Sequence, residues 1–397
     1  MPLIDLGTAP PSNAYLTKRM LNQPERWFPL RVLICEQCWL VQTEDFAQAD
    51  ELFDENYAYF SSFSDEWVHG AEIFVEDVRR RFRLDAASFV VEVAANDGYM
   101  LQFVKQAGIP CLGIEPTAST AAAALQKGIE IVQEFFGLKL ARHLLTQFSP
   151  ADLMVAKNVL AHVPDINDFV LGFAHFLKID GVATFEFPHM YHLIKQKQFD
   201  TIYHEHFSYL SLTSVVSLFA DNGLRVFDVE ELPSHGGSLR VFAQRSDSGT
   251  RDVLPSVAKL LQIEREASMS SPSFYFGFQE SAEAIKNNFK EFLITAHRSG
   301  KKVAGYGAAA KGNTLLNFAG VRSDLVSFVA DRNPSKQGKF MPGSRIPIFP
   351  ESQIVKMKPD YVVILPWNLK SEIMGQLSYI REWGGKFVTA TPKLGID

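Results

Sequence analysis

Val90-Val91-Glu92-Val93-Ala94-Ala95-Asn96-Asp97-Gly98 reads as an apolar strand with one acidic residue, running into a turn of small residues. In nucleotide-binding sheets that turn must admit a ligand to the backbone, which favours small side chains and left-handed conformations. Ala94, Asn96 and Gly98 stand where the glycines of such a turn would be. Asn tolerates the left-handed region and Ala is small, but the string is not a dinucleotide fingerprint.

Outward from this turn the pattern alternates. Trp67–Phe82 reads as an amphipathic helix, Gly98–Ala107 and Ala118–Lys127 as helices, and Pro110–Ile114 and Ile129–Val132 as strands. Further strands fall at Leu153–Val159 and Val182–Phe187, around a helix near Asn167–Leu177, with Leu224–Val229 and Ser238–Gln244 as a closing antiparallel pair. Such alternation implies an α/β class with a doubly wound, parallel sheet covered by helices on both faces. Residues 247–297 read as mainly helical. A second, Rossmann-like α/β unit follows, with strands at Lys302–Tyr306, Leu325–Ala330, Tyr361–Leu365 and Lys386–Thr391. Residues 1–66 read as irregular, punctuated by Pro2, Pro10, Pro11, Pro24 and Pro29, with two short strands around Cys35-x-x-Cys38. Three domains are expected: 1–66, 67–246 and 247–397.

Composition excludes several classes. At 397 residues, 47% hydrophobic and 21% charged, the chain is a well-packed protein of more than one core. A net charge of −6 without a Lys/Arg block argues against nucleic acid as a partner. No apolar run approaches the about 18–20 residues that span a membrane, and Met-Pro-Leu-Ile-Asp is no signal peptide. Three cysteines make no disulfide scaffold, and the chain reads as cytoplasmic. Cys35 and Cys38 have the spacing of half a structural zinc site; two reduced thiols are the equal alternative.

Phe199–Leu210, Phe-Asp-Thr-Ile-Tyr-His-Glu-His-Phe-Ser-Tyr-Leu, places Tyr203, His204, Glu205 and His206 together within an apolar frame. Such a cluster can take a proton from carbon and polarise a carbonyl, or it can cap a core as a hydrogen-bonded polar strand. His204-x-His206 on an extended strand also has a metal-binding reading, without a third ligand nearby. Elsewhere Glu115 ends its strand where a carboxylate accepts ribose hydroxyls, and Phe136 suits stacking of an adenine. Asn158 closes the fourth strand at the ligand edge. Gly305-Tyr306-Gly307-Ala308-Ala309-Ala310-Lys311-Gly312-Asn313 follows a strand and opens a helix, an arrangement that attracts phosphate. With Arg332, after the next strand, it reads as a seat for a diphosphate and nucleoside, or as a nucleotide fold without a ligand. His235–Arg240 brings Ser238 and Arg240 to the same cleft, or makes a Gly-rich strand turn.

The ordered set from Glu92 to Phe187 resembles the S-adenosylmethionine-dependent methyltransferases of the doubly wound (class I) kind. Asn158–Asp168, Phe185–His189, Gln198–Ser211, His235–Arg240 and Gly305–Asn317 narrow this: together they resemble the bacterial nucleotide-sugar C-methyltransferases, end to end. The resemblance implies a small N-terminal zinc domain, a central methyltransferase domain and a C-terminal α/β domain closing over the substrate. It implies methylation of a carbon α to a ketone, C-3 above all, on an NDP-linked (dTDP or GDP) 4-keto-deoxysugar in branched deoxysugar biosynthesis. It places Tyr57, His162, Tyr203, Glu205 and His206 at the site. His206 is expected as the base, with Tyr203 as the alternative base or ketone donor, and Glu205 as an orienting group. His162 and Tyr57 would donate to the keto or neighbouring groups; a core histidine and a core aromatic stripe are their rivals. His204 and His206 could exchange roles. Family members carry a further Cys-x-x-Cys shortly before the segment that resembles Leu3–Leu16, which this sequence lacks. An upstream start and a lost half-site are the alternatives. An NAD-dependent sugar-nucleotide oxidoreductase is the competing enzyme reading, against which the incomplete glycine pattern at Gly305 counts, and a sugar-nucleotide sensor is the non-catalytic one.

Overall fold

The computed structural model describes residues 1–44, 46, 60–63 and 65–397. Three sheets order the described residues. Strands β1 (Pro2–Ala9), β2 (Phe28–Ile34) and β3 (Val41–Thr43) form an antiparallel N-terminal sheet. The central sheet contains β4 (Val90–Val93), β5 (Cys111–Ile114), β6 (Glu130–Val132), β7 (Ala151–Lys157) and β8 (Leu177–Pro188), all parallel. The short β9 (Ser208–Tyr209) returns to the N-terminal sheet and pairs with β3. Next, β10 (Leu224–Leu232) and β11 (Ser238–Arg245) close the central sheet as an antiparallel pair, giving the order β10-β11-β8-β7-β4-β5-β6.

The C-terminal sheet contains β12 (Val303–Tyr306), β13 (Val329–Ala330), β14 (Ile348–Phe349), β15 (Tyr361–Ile364), β16 (Lys386–Thr389) and β17 (Gly395–Ile396). Its order is β14-β13-β12-β15-β16-β17, parallel except for the last strand. The long helices Pro255–Glu266 and Phe278–Arg298 precede it.

The N-terminal segment departs from the irregular coil expected of it. Its Pro2 begins β1, at the sheet edge, where a missing N–H costs no ladder bond. A register shift between Asp5 and Thr8, with Gly7 at φ 76°, breaks the two-residue alternation that would have announced the strand. The strand expected at Leu325–Ala330 shrinks to Val329–Ala330, because Ser323–Leu325 turn.

Burial knits the ends of the chain together. Leu3, Leu6, Leu30 and Val32 share one core with Phe199 and Ile202, and with Phe289, Leu315 and Val363 of the C-terminal unit. The N-terminal sheet and the second α/β unit therefore grip the Phe199–Leu210 segment between them. The central sheet buries its two faces in separate clusters, one around Phe173 and Phe185, the other around Phe74 and Leu101.

Candidate active site

A cavity of about 560 Å³ opens at the C-terminal edge of the central strands, where open α/β sheets bind ligands. All three parts of the chain wall it: Asn13; the turns after β4, β5 and β7 with His162, Tyr203, Glu205, His206 and His235; and Lys311, Lys336 and Asn368.

At one end stands the turn after β4. Ala94 and Asn96 have φ of 57° and 50°, the left-handed geometry expected of glycine-like positions. Gly98 (φ 72°) is no wall residue: a Cβ there would meet Ile129 Cδ1 at 2.4 Å, so its role is close packing under the turn. Glu115 accepts the backbone N–H of Asn96 (2.9 Å) and of Thr117 (2.9 Å), one on each oxygen. Each oxygen keeps a second lone pair for a hydroxyl. Burial raises the Glu115 carboxyl above the usual range, against the pull of those two N–H groups. Phe136 lines the same end. Asn158, at φ 52°, has both amide atoms buried without a hydrogen-bond partner among the described residues. A buried, unsatisfied amide on a cavity wall suits a polar ligand. This donor set fits S-adenosylmethionine: a carboxylate for its diol, a ring beside its adenine and an open amide.

At the other end lies the segment after the 3₁₀ turn Phe199–Thr201. The turn presents the Thr201 carbonyl to His206 Nδ1 at 2.9 Å, and the Glu205 carbonyl receives His162 Nδ1 at 2.7 Å. A carbonyl only accepts, so both imidazoles carry their proton on Nδ1, which leaves the lone pair of His206 on Nε2. The His206 ring lies 4.0 Å from that of Tyr203 and 4.7 Å from that of His162, centroid to centroid. Burial, then the neighbouring His162, holds the pKa of His206 well below the ordinary value, so the ring is neutral. Burial likewise lowers His162 to about 4 and His235 to about 4. Glu205 accepts Asn13 Nδ2 at 2.6 Å on one oxygen, while the other is buried without a partner. Burial raises its carboxyl to about 7.

His204 turns away. Its Nε2 donates to the Pro29 carbonyl at 3.1 Å and its ring meets Phe28 edge-on, so it buttresses β2. His204 and His206 thus face different partners, which separates their roles and removes the shared-face metal reading. Tyr57 falls outside the described residues.

Several expected ligand residues lie off the cavity wall. Glu92 sits mid-strand in β4 between β5 and β7. Ser238 spends its hydroxyl on the Ser234 carbonyl (2.9 Å), and Arg240 pairs with Glu186 (3.1 Å) and Glu230 (3.2 Å). The hydroxyl of Tyr306 donates to Glu351 at 3.0 Å, Asn313 donates to the Ser12 carbonyl, and Arg332 is exposed. Arg240, Tyr306 and Asn313 join elements instead of facing a ligand. Lys311 does face the cavity. Its Nζ donates to Asn368 (2.9 Å), above the Trp367 ring, and burial lowers its pKa to about 8.

Sequence reasoning missed Asn13, Asp200, Lys157 and Asn368. Asp200 was within the quoted cluster stretch, and Pro366-Trp367-Asn368 follows β15 at the ligand edge, where the sheet rule points. No local pattern pairs Asn13 with a residue 192 positions away.

Cys35 and Cys38 bracket a tight turn in which Trp39 N–H donates to the Cys35 carbonyl. The backbone N–H groups of Cys38 and Gln37 lower the Cys35 thiol, while burial raises Cys38. Among the described residues no three metal-binding side chains converge. Two thiols are half of the tetrahedral set that structural zinc requires.

Comparison with known proteins identifies the family. The chain is 34% identical over 391 residues to the C-methyltransferase NovU of Streptomyces niveus, an alignment covering 98% of this chain and 93% of that protein. The chain belongs to the C-methyltransferase family. Family models match this C-methyltransferase in three places: "Putative zinc binding domain" over residues 1–53, "Methyltransferase domain" over 67–229, and "C-methyltransferase C-terminal domain" over 233–392. Its fold is a class I methyltransferase sheet flanked by a small N-terminal sheet and a Rossmann-like C-terminal unit. Solved structures are similar at lower identity. They include magnesium protoporphyrin IX methyltransferase from Synechocystis PCC 6803 with bound SAM (16% identity, 46% of this chain and 82% of that one, TM-score 0.34). Another is the PH0226 protein of Pyrococcus horikoshii OT3 (13%, 48% and 95%, TM-score 0.39). Among the described residues no helix is long and apolar enough to cross a membrane.

Proposed function

We propose that this C-methyltransferase uses S-adenosylmethionine to methylate the carbon α to the ketone, C-3, of an NDP-linked 4-keto-deoxysugar. One geometry carries this reading: a neutral imidazole, His206, pinned by its Nδ1 so that Nε2 is the base, on the wall of a cavity whose far end offers Glu115 and Asn158. S-adenosylmethionine supplies an electrophilic methyl group. A carbon accepts it only after losing a proton, which His206 Nε2 takes while the Tyr203 hydroxyl donates to the developing enolate oxygen; His162, whose one proton is held by the Glu205 carbonyl, can only accept there. Glu205, on the same wall, holds a sugar hydroxyl or the ketone side of the ring. Lys311 and Asn368 receive the charged phosphates, and closure of the three parts over the cavity excludes water. The NovU relationship supports transfer of the methyl group to carbon.

The test is incubation with S-adenosylmethionine and dTDP-, GDP- and CDP-linked 4-ketosugars, read by mass, with deuterium exchange at C-3 followed in parallel. Methyl gain and exchange are expected on one member of the panel. Thermal stabilisation by NAD and none by S-adenosylhomocysteine would overturn the reading.

Glu115→Ala removes the carboxylate that two backbone N–H groups aim at the cavity. Affinity for S-adenosylhomocysteine should fall about 10–100-fold, as charge-assisted hydrogen bonds to hydroxyls predict. Calorimetric titration giving equal affinities would remove Glu115 from the cofactor site.

Glu205 also writes a pH signature. Its folded pKa, about 7, lies above the ordinary 4.5, so the folded state binds the extra proton between those values. Its contribution is full below about pH 4.5 and is lost as pH rises toward 7, a decline of up to about 3 kcal/mol. Glu205→Gln should flatten that part of the stability profile; an unchanged slope in denaturant melts from pH 5 to 7 would contradict the burial account.

A further inference from the structure

Ile114 of β5 and Ala156 of β7 both pair in register with Val93 of β4. The next residues, Glu115 and Lys157, therefore flank the Ala94 turn from opposite sides, roughly 10 Å apart by two strand spacings. Both line the cavity. The Lys157 side chain is only 5% exposed, with Nζ 4.9 Å from the centre of the Trp67 ring and 5.2 Å from that of Phe74. Its one carboxylate within ion-pair reach among the described residues, Glu186, is 3.8 Å away, beyond a hydrogen bond. Glu186 is itself bonded by Arg240 at 3.1 Å. Glu92 is close enough to be felt, but burial holds its carboxyl well above the usual range, toward the uncharged form. A buried ammonium with three donors thus has, within the described residues, only the long contact to Glu186, which Arg240 already holds, and a ligand would complete it.

We propose that Lys157 receives the α-carboxylate of S-adenosylmethionine, so that Glu115 and Lys157 hold opposite ends of the cofactor across the β4 turn. The inference rests on the cofactor reading above. It is favoured over a role toward the sugar diphosphate because Lys157 issues from the strand next to the cofactor turn, whereas Lys311 issues from the C-terminal unit. The cofactor's carboxylate replaces water on Nζ, and the surrounding rings strengthen the pair by excluding solvent.

The experiment is calorimetric titration of the full chain with four probes: S-adenosylhomocysteine, its decarboxylated analogue, 5′-methylthioadenosine and dTDP. The wild type should bind S-adenosylhomocysteine at least tenfold tighter than the decarboxylated analogue, about 1.4 kcal/mol. Lys157→Met should shrink that gap below threefold while leaving methylthioadenosine affinity unchanged. A wild-type gap below threefold overturns the proposal without any variant. So does a Lys157→Met chain that keeps the full gap, or one that loses dTDP affinity alone. Should that variant fail to fold, the wild-type comparison still decides. A wild-type chain that binds neither S-adenosylhomocysteine nor methylthioadenosine instead removes the cofactor reading itself.

Discussion

Replacing His206 with Asn is expected to lower kcat roughly 10²–10⁴-fold, the usual contribution of a positioned general base. Asn is close in size, and its amide N–H can still reach the Thr201 carbonyl that now receives Nδ1. What it lacks is a second nitrogen with a basic lone pair. Affinity for S-adenosylhomocysteine should stay within about twofold of wild type, because the Glu115 end of the cavity is untouched. Deuterium exchange at C-3 should vanish along with turnover. If exchange persists at the wild-type rate while methylation is lost, the proton goes to Tyr203 or Glu205, and His206 only orients. The low pKa of His206, set by burial and by His162, has a definite sign: the ring is already neutral at physiological pH and stays so until well below 6.5. Any fall of activity near pH 7 must then come from another group, and Glu205, at about 7, and Lys311, at about 8, both line the cavity.

The second large effect is on stability. Asp200 is buried, accepts Trp367 Nε1 at 2.7 Å and Thr391 Oγ1 at 3.2 Å, and lies in the field of Lys311. It is the tie between the turn that carries the Thr201 carbonyl and the loops of the C-terminal unit. The Thr314 hydroxyl, donating to the Ile202 carbonyl at 2.8 Å, makes a second tie beside it. Asp200→Ala leaves an indole N–H and a hydroxyl without an acceptor and Lys311 without its counter-charge. Breaking a buried, hydrogen-bonded charge in this way costs about 3–5 kcal/mol. Asp200→Asn keeps an acceptor oxygen and should recover part of the loss. Thermal or denaturant unfolding with Asp200→Ala at the wild-type midpoint would show that the two units dock without this tie. Burial raises Asp200 to about 6, so its charge is present at neutral pH and the mutation acts on an ionised group.

The expected folding pattern was legible where local signals are strong. The β4 turn announced itself through small residues at left-handed positions, and Ala94, Asn96 and Gly98 all have positive φ. The alternation from Trp67 to Phe187 is read from periods of 3.6 and 2, which only need neighbours along the chain. β1 escaped notice because a bulge at Gly7 broke its alternation. The two-residue β9 is too short to carry any pattern, yet it is what fastens the Phe199–Leu210 segment to the N-terminal sheet.

The same division runs through the site. His206, Tyr203 and Glu205 could be named because they cluster within four positions, and a polar run framed by Phe199, Ile202 and Phe207 is unusual without a task. Choosing between His204 and His206 was beyond the sequence, since neighbours on a chain differ in direction only once the backbone is placed. The Pro29 carbonyl takes one ring and the Thr201 carbonyl the other. Arg240, Tyr306 and Asn313 had suitable chemistry, but their partners come from distant segments and draw them off the wall; Ser238 bonds locally to Ser234, and Arg332 is exposed.

The sequence by itself determined the alternation of strands and helices in the central unit, the family it resembles and the chemical repertoire of the catalytic stretch, because these depend on residue type and short spacings. Only the tertiary structure decided which donors meet. It set Asn13 against Glu205, Asp200 against Trp367, and Lys157 across the β4 turn from Glu115. Those pairings depend on how sheets and loops far apart in the chain pack around one cavity, and burial there, more than residue identity, sets the protonation of each group.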